Sequence, residues 1–152
     1  MKITFSNIAL SVACLTFGAA VIAAAPADLI RERQQSYKHI GRSTKAIFDE
    51  LKASQPNIAS IRANALTVAT LAHQLPTWFA KGTGPEAGIK TAALPEIWKR
   101  GPEFAKAASN FDAAARQLNA VSAKGSVADI RVAAGAMGGT CKACHQTFRA
   151  RD

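Results

Sequence analysis

Three residues near the C-terminus stand close enough together to do joint chemistry: Cys141, Cys144 and His145, in the run Cys141-Lys142-Ala143-Cys144-His145. Two thiols three residues apart on a helix face the same way, so each can add to a vinyl group of one haem. The imidazole beside them can swing onto the iron. Two other uses of these side chains are less well served. A thioredoxin-like redox pair needs a strand ahead of its helix, and none is visible. A structural zinc site needs a fourth ligand, typically from a second pair that this sequence lacks. The spacing therefore predicts one covalent haem c, with thioethers at Cys141 and Cys144 and iron held by His145.

Covalent haem attachment of this kind takes place outside the bacterial cytoplasm, and the other end of the chain carries an export signal. Met1-Lys2 gives a basic start, and Ile8 to Ala24 is an uncharged apolar run closed by small residues. This pattern predicts a signal peptide over residues 1–27 and a periplasmic protein. Ala25-Pro26-Ala27 places the mature start near Asp28, with a cut at Ala24/Ala25 as the alternative. The run of about 17 residues is at the lower limit for a bilayer span, and no basic stop-transfer cluster follows, so no membrane anchor is expected after processing. Lipidation at Cys14 is disfavoured by Ser11, where a large aliphatic residue is wanted. Removing Lys2 from the formal +9 leaves eighteen basic and ten acidic groups, a net +8. Two cysteines also remain, and two so close together do not make a disulfide scaffold.

The elements that position the motif are helical throughout. Ile30, Tyr37, Ile40, Thr44, Ile47 and Leu51 recur at threes, fours and sevens; so do Ile58, Ile61, Ala65, Val68, Ala72 and Leu75. Pro56-Asn57 separates these two stripes. Pro76 and then Gly82-Thr83-Gly84-Pro85 with Gly88 predict a loop. Pro95 suits a helix start, and Gly101-Pro102 breaks off a short first turn before Phe104, Ala108, Phe111, Ala115, Leu118 and Val121. Gly125 ends that helix. Ser126 with Asp129 caps a last one carrying Val127, Ile130, Ala134, Met137, Cys141, Cys144 and Phe148 on one stripe. Four amphipathic helices of roughly 20 to 25 residues with short connections predict an all-α, antiparallel up-down-up-down four-helix bundle over residues 28–152. Its haem lies near the C-terminal helix.

The arrangement resembles the class II c-type cytochromes, and among them the cytochrome c′ family, over essentially all of the chain after residue 27. The resemblance rests on Arg33-Gln34 in the first helix and on the Leu75-Pro76…Phe79…Gly82-Thr83 turn. Trp98 followed by Phe104, and Thr140 to His145 followed by Phe148-Arg149, complete it. It implies that Arg33 and Gln34 meet a haem propionate, that Arg149 stands beside the proximal imidazole, and that Trp98 and Phe104 contact haem. Bland readings stand beside these: a solvated helix face for Arg33, a cation on the helix dipole for Arg149, core packing for Trp98 and Phe104. Relatives often dimerise through their first two helices, and Ala-rich faces there permit a homodimer.

The second axial position decides what such a haem does. Met137 lies eight residues before His145 on the same helix and cannot cross to the opposite face. Low-spin relatives place a methionine where this sequence has Tyr37, and a neutral phenol is a poor ligand for ferrous iron. His39 is turned about 200° from Tyr37, and His73 falls off its helix's stripe. The resemblance therefore implies five-coordinate, high-spin iron open to NO and CO, with Tyr37 on the distal face either as a hydrogen-bond donor to a ligand or as a core aromatic. Six-coordinate low-spin electron transfer is the alternative reading. A peroxidase would need a distal acid–base group that the first-helix stripe does not offer. Lys and Arg are scattered along all four helices without interleaved aromatics, which argues against nucleic acid and for encounter with an acidic redox partner.

Overall fold

The computed structural model describes residues 24–151. In chain order the helices are α1 (Pro26–Lys52), α2 (Ile58–Gln74), the single turn α3 (Glu96–Lys99), α4 (Gly101–Lys124) and α5 (Val127–Phe148). No strand is formed among the described residues. Most of the export segment, residues 1–23, lies outside them; α1 begins two residues before Asp28.

Local chemistry sets the helix boundaries. Pro26 opens α1, where its missing N–H costs nothing. The Asn57 side chain accepts from the Ser60 amide at 3.0 Å to start α2. At α5 the Ser126 hydroxyl accepts from the Asp129 amide at 3.2 Å, while the Asp129 carboxylate accepts from the Ser126 amide at 2.9 Å, a reciprocal capping box. The Ser126 contacts hold the Asp129 carboxyl below its ordinary pKa. Its stabilising effect is therefore complete at neutral pH and is lost as pH falls through the folded value. Substitution Asn57→Ala is expected to cost about 1 kcal/mol, read by thermal or urea unfolding.

The four long helices bury the stripes that their periodicity marks. Ile30, Ile47, Ile61, Val68, Leu118, Ile130 and Met137 are fully buried, with alanines at 65, 72, 108, 115 and 134 closing the helices on one another. α2 packs along both α1 and α4, and α4 packs along α5, giving the antiparallel bundle. The fourth side differs. α1 and α5 meet sparsely, with contacts toward one end: Arg131 donates to the Leu51 carbonyl at 2.9 Å, and Phe48 lies over Gly138.

Residues 75–95 form the long connection before α3. It contains two short 3-10 turns and two glycines in the left-handed region, Gly82 at φ 82° and Gly88 at φ 70°. Only glycine takes such angles without strain, so Gly82→Ala is expected to destabilise the chain by about 1 kcal/mol. The end of α5 clips this segment. The Leu94 amide donates to the Phe148 carbonyl at 3.1 Å, and the Ala150 amide to the Ala92 carbonyl at 2.8 Å. These two bonds tie the connection to the helix turn that follows His145.

Candidate haem site

Cys141 and Cys144 are half-buried, unpaired thiols on adjacent turns of α5. Burial raises both pKa values, and the nearby Cys141 raises that of Cys144 further, so both are neutral thiols at physiological pH. His145, next along the helix, is reached by solvent. The partial shielding of its ring, together with the Arg149 charge, lowers its pKa, which keeps the imidazole neutral and its nitrogen lone pair available. Arg149 is exposed, and its backbone forms an isolated antiparallel bridge with Ala93. Met137 is wholly inside the core, two turns before His145 on the same helix.

Across the α1/α5 seam, Tyr37 faces these thiols. Its phenol is buried enough that desolvation raises its pKa strongly, and it lies within electrostatic reach of Cys144 and Cys141, which raise it further; Arg33 opposes them. Tyr37 is thus a neutral hydroxyl. It stands in an aromatic cluster, edge-on to Trp78 at 5.4 Å and to Phe79 at 6.4 Å between ring centroids. Phe79 in turn meets Phe104 at 4.8 Å and Trp98 at 6.0 Å, and Phe104 meets Phe148 at 5.3 Å. Each pair has the edge-to-face form that ring quadrupoles favour. The cluster connects α1, the 75–95 segment, α4 and the haem-motif end of α5. His39 is exposed on the outer side of α1, bonded to Arg42, and His73 is exposed beside Asp112.

One turn before Tyr37, Arg33 is only 3% exposed, so the solvated-face reading of this residue does not hold. Its Nη2 donates to the Thr83 carbonyl at 2.9 Å and the Thr91 hydroxyl at 3.1 Å; its Nη1 donates to the Thr83 hydroxyl at 3.1 Å and, weakly, to the Trp78 carbonyl at 3.4 Å. The guanidinium also lies 4.6 Å from the centroid of Phe79. No carboxylate among the described residues pairs with it. Gln34 donates to the Lys90 carbonyl at 2.8 Å. Both residues hold the 75–95 segment against α1.

Phe104 is buried in the cluster. Trp98 is half-buried, its Nε1 donating to the carbonyls of Phe79 at 3.1 Å and Ala80 at 3.2 Å. Trp98→Phe keeps the ring contact and removes the indole donor from both carbonyls, although that of Ala80 still accepts from Thr83. A loss of about 1 kcal/mol in unfolding free energy is expected.

Trp78 and Thr91 are the parts of this region that the sequence did not single out, and Thr83 is named only in the turn that carries the resemblance, with no role. Trp78 and Thr83 sit in a stretch without helical period. Thr83 is wholly buried, and its hydroxyl both accepts from Arg33 and donates to the Ala80 carbonyl at 2.7 Å. A cleft of about 550 Å³ opens beside Cys144 between α4 and α5, over Ala107, Gly139 and Ala143. Another of the same volume lies between α1 and residues 74–80, bordered by Ser36, His39, Arg33 and Trp78 and not by the thiols.

The donor set suits a c-type haem: two unpaired thiols one turn apart, a neutral imidazole next to them, and an aromatic wall opposite. A family profile described as Cytochrome C′ matches residues 28–149. Cytochrome c′ of Pararhodospirillum photometricum is 35% identical over 127 residues, 83% of this chain and 99% of that protein. The crystal structure of cytochrome c′ from Thermochromatium tepidum superposes with a TM-score of 0.79 at 30% identity, covering 84% of this chain and 98% of that one. Cytochrome c′ from Alcaligenes xylosoxidans, solved as a ferrous R124K variant with bound NO, gives 0.76 at 26% identity over 86% of this chain and all of that one.

Fold and motif together define a haem-bearing four-helix-bundle cytochrome. The chain belongs to the cytochrome c′ family, whose cofactor is one covalent haem c with its iron.

Proposed function

We propose that this protein is a periplasmic monohaem cytochrome, exported by residues 1–27, whose iron is five-coordinate and high-spin and whose role is electron transfer or the binding of NO and CO. The observation that carries this reading is the identity of the side chain across from the thiols. Tyr37 occupies the wall facing Cys141 and Cys144, and its neutral phenol is a poor ligand for ferrous iron. The haem supplies a reversible one-electron couple and, where the iron is open, a site for a diatomic ligand.

The chain's own residues divide the work as follows. Cys141 and Cys144 fix the macrocycle by thioethers, and His145 supplies the proximal nitrogen. Arg149 stands on the proximal side, within electrostatic reach of that imidazole. Arg33 is a buried cation with no carboxylate partner among the described residues, so a haem propionate would balance its charge, with Gln34 beside it. Phe104 and Trp98 line the apolar side by way of Phe79. Tyr37 excludes large ligands by bulk and anionic ones by the apolar ring cluster behind it, while its hydroxyl can donate to a bound diatomic. A relative solved with NO bound supports the ligand assignment. No acid–base group stands beside Tyr37 among the side chains described above, which favours binding and redox work over peroxidase turnover.

The test is ligand selectivity. Ferrous holoprotein is expected to bind CO and NO at one site per haem, and ferric holoprotein to bind azide and cyanide weakly. Tyr37→Val is expected to raise the CO association rate by about tenfold, about 1.4 kcal/mol of barrier. Tyr37→Phe separates bulk from hydrogen bonding: a changed dissociation rate with an unchanged association rate assigns a hydrogen bond to the hydroxyl. Equal rates in Tyr37→Val and the native protein would remove Tyr37 from the distal wall.

A further inference from the structure

Basic residues lie on every long helix, but two stretches carry them with no acidic residue among them. On α1, the stretch from Arg33 to Phe48 carries four basic residues and no acidic one; from Ile130 to Arg151, on and just after α5, there are again four and none. Everything else from Asp28 onward carries ten basic and ten acidic residues. The entire net +8 of the chain after residue 27 therefore resides on the two segments that flank the α1/α5 seam.

That seam is also where the haem chemistry lies. Lys38 follows Tyr37 directly and Lys142 follows Cys141, and both are exposed, as are Arg42 and Arg149. Of the four α1 cations, Lys45 is bridged to Asp49 and Arg33 is buried, so Lys38 and Arg42 are the ones α1 offers outward. Small residues keep the surface low between the charges. A Cβ at Gly41 or Gly135 would meet no neighbouring atom within 4 Å. A face of one sign repels a second copy of itself and attracts a carboxylate-rich surface, steering encounter in a salt-dependent way.

We propose that the α1/α5 face is the docking surface for a small redox protein that presents a carboxylate-rich patch, with one electron crossing the seam beside Lys38 and Lys142. This rests on the haem reading above. In the reducing direction a flavodoxin hydroquinone loses one electron to become the semiquinone, and the ferric haem gains it; no atom is transferred.

The experiment mixes ferric holoprotein with an acidic flavodoxin hydroquinone in a stopped-flow instrument at low ionic strength. It compares a face variant, Lys38→Glu with Lys142→Glu, against a control of identical net charge, Arg116→Glu with Lys124→Glu on α4. The face variant is expected to lower the second-order rate constant by tenfold or more and the control by less than twofold, with the difference vanishing at high salt. Carbodiimide cross-linking of the same pair, mapped by peptide, reads the face whether or not haem is bound, and cross-links are expected at Lys38 and Lys142. Equal slowing in both variants, or cross-links spread evenly over the lysines, overturns the docking face. Absence of haem with cross-links still at Lys38 and Lys142 overturns the haem reading instead.

Discussion

Replacing both Cys141 and Cys144 by serine is expected to abolish haem that survives denaturation, while leaving the bundle folded. A serine hydroxyl does not add to a vinyl group, so neither thioether can form, and His145 alone holds iron only by a bond that denaturant breaks. The bundle survives because the residues that build it lie elsewhere. Ile47, Ile61, Val68, Leu118 and Ile130 are fully buried without help from the thiols, and Cys141 and Cys144 themselves are only half-buried. The check is a denaturing gel stained for haem beside far-ultraviolet circular dichroism of the same samples. Stain is expected in the native chain, weaker stain in each single variant, none in the double variant, and helicity in all four. A stained double variant would mean that haem is attached elsewhere.

The second large effect is expected at Arg33. Arg33→Met keeps most of the side-chain volume and removes every hydrogen bond. The Thr83 carbonyl loses its donor, the Thr91 hydroxyl keeps only that of the Ala93 amide, and the 75–95 segment loses its main tie to α1. Leaving buried acceptors unsatisfied costs roughly 1–3 kcal/mol, so a loss of about 3 kcal/mol and a fall in Tm of roughly 10 °C are expected. Arg33→Lys keeps the charge but not the planar fork that serves Thr83 and Thr91 together, so it is expected to recover less than half of the loss. In holoprotein the variant is also expected to lower the reduction potential, because a buried cation beside the haem favours the electron-rich state. An unchanged Tm would mean that the loop is held by Trp98 and Gln34 instead.

Much of this architecture is legible from residue types and spacing because helices and caps are local. The four stripes, the Pro56-Asn57 break, the short turn before Gly101 and the Ser126–Asp129 box each depend on residues within a turn or two, and each is found where the spacing puts it. Cys141, Cys144 and His145 are legible for the same reason. What is not legible depends on contacts distant in sequence. Arg33 reads from its chemistry as a surface or propionate residue; that it is buried against Thr83 and Thr91, some fifty residues away, overturns only the first, and no period signals that pairing. Trp78 shows no periodicity because a 3-10 turn places it, although it packs on Tyr37 as closely as any ring in the cluster. The charge asymmetry is hidden in the same way: the two stretches without acidic residues, 33–48 and 130–151, flank one seam only once α1 and α5 are neighbours.

The measurement that bears most directly on the central claim is the absorption spectrum of the full chain expressed with its export segment, recorded ferric, then ferrous, then ferrous under CO. A single covalent haem opposite Tyr37 is expected to give a broad high-spin ferrous Soret band that sharpens and intensifies when CO is added. A narrow, split low-spin spectrum indifferent to CO would contradict it, since that result requires a sixth ligand on the face where Tyr37 stands.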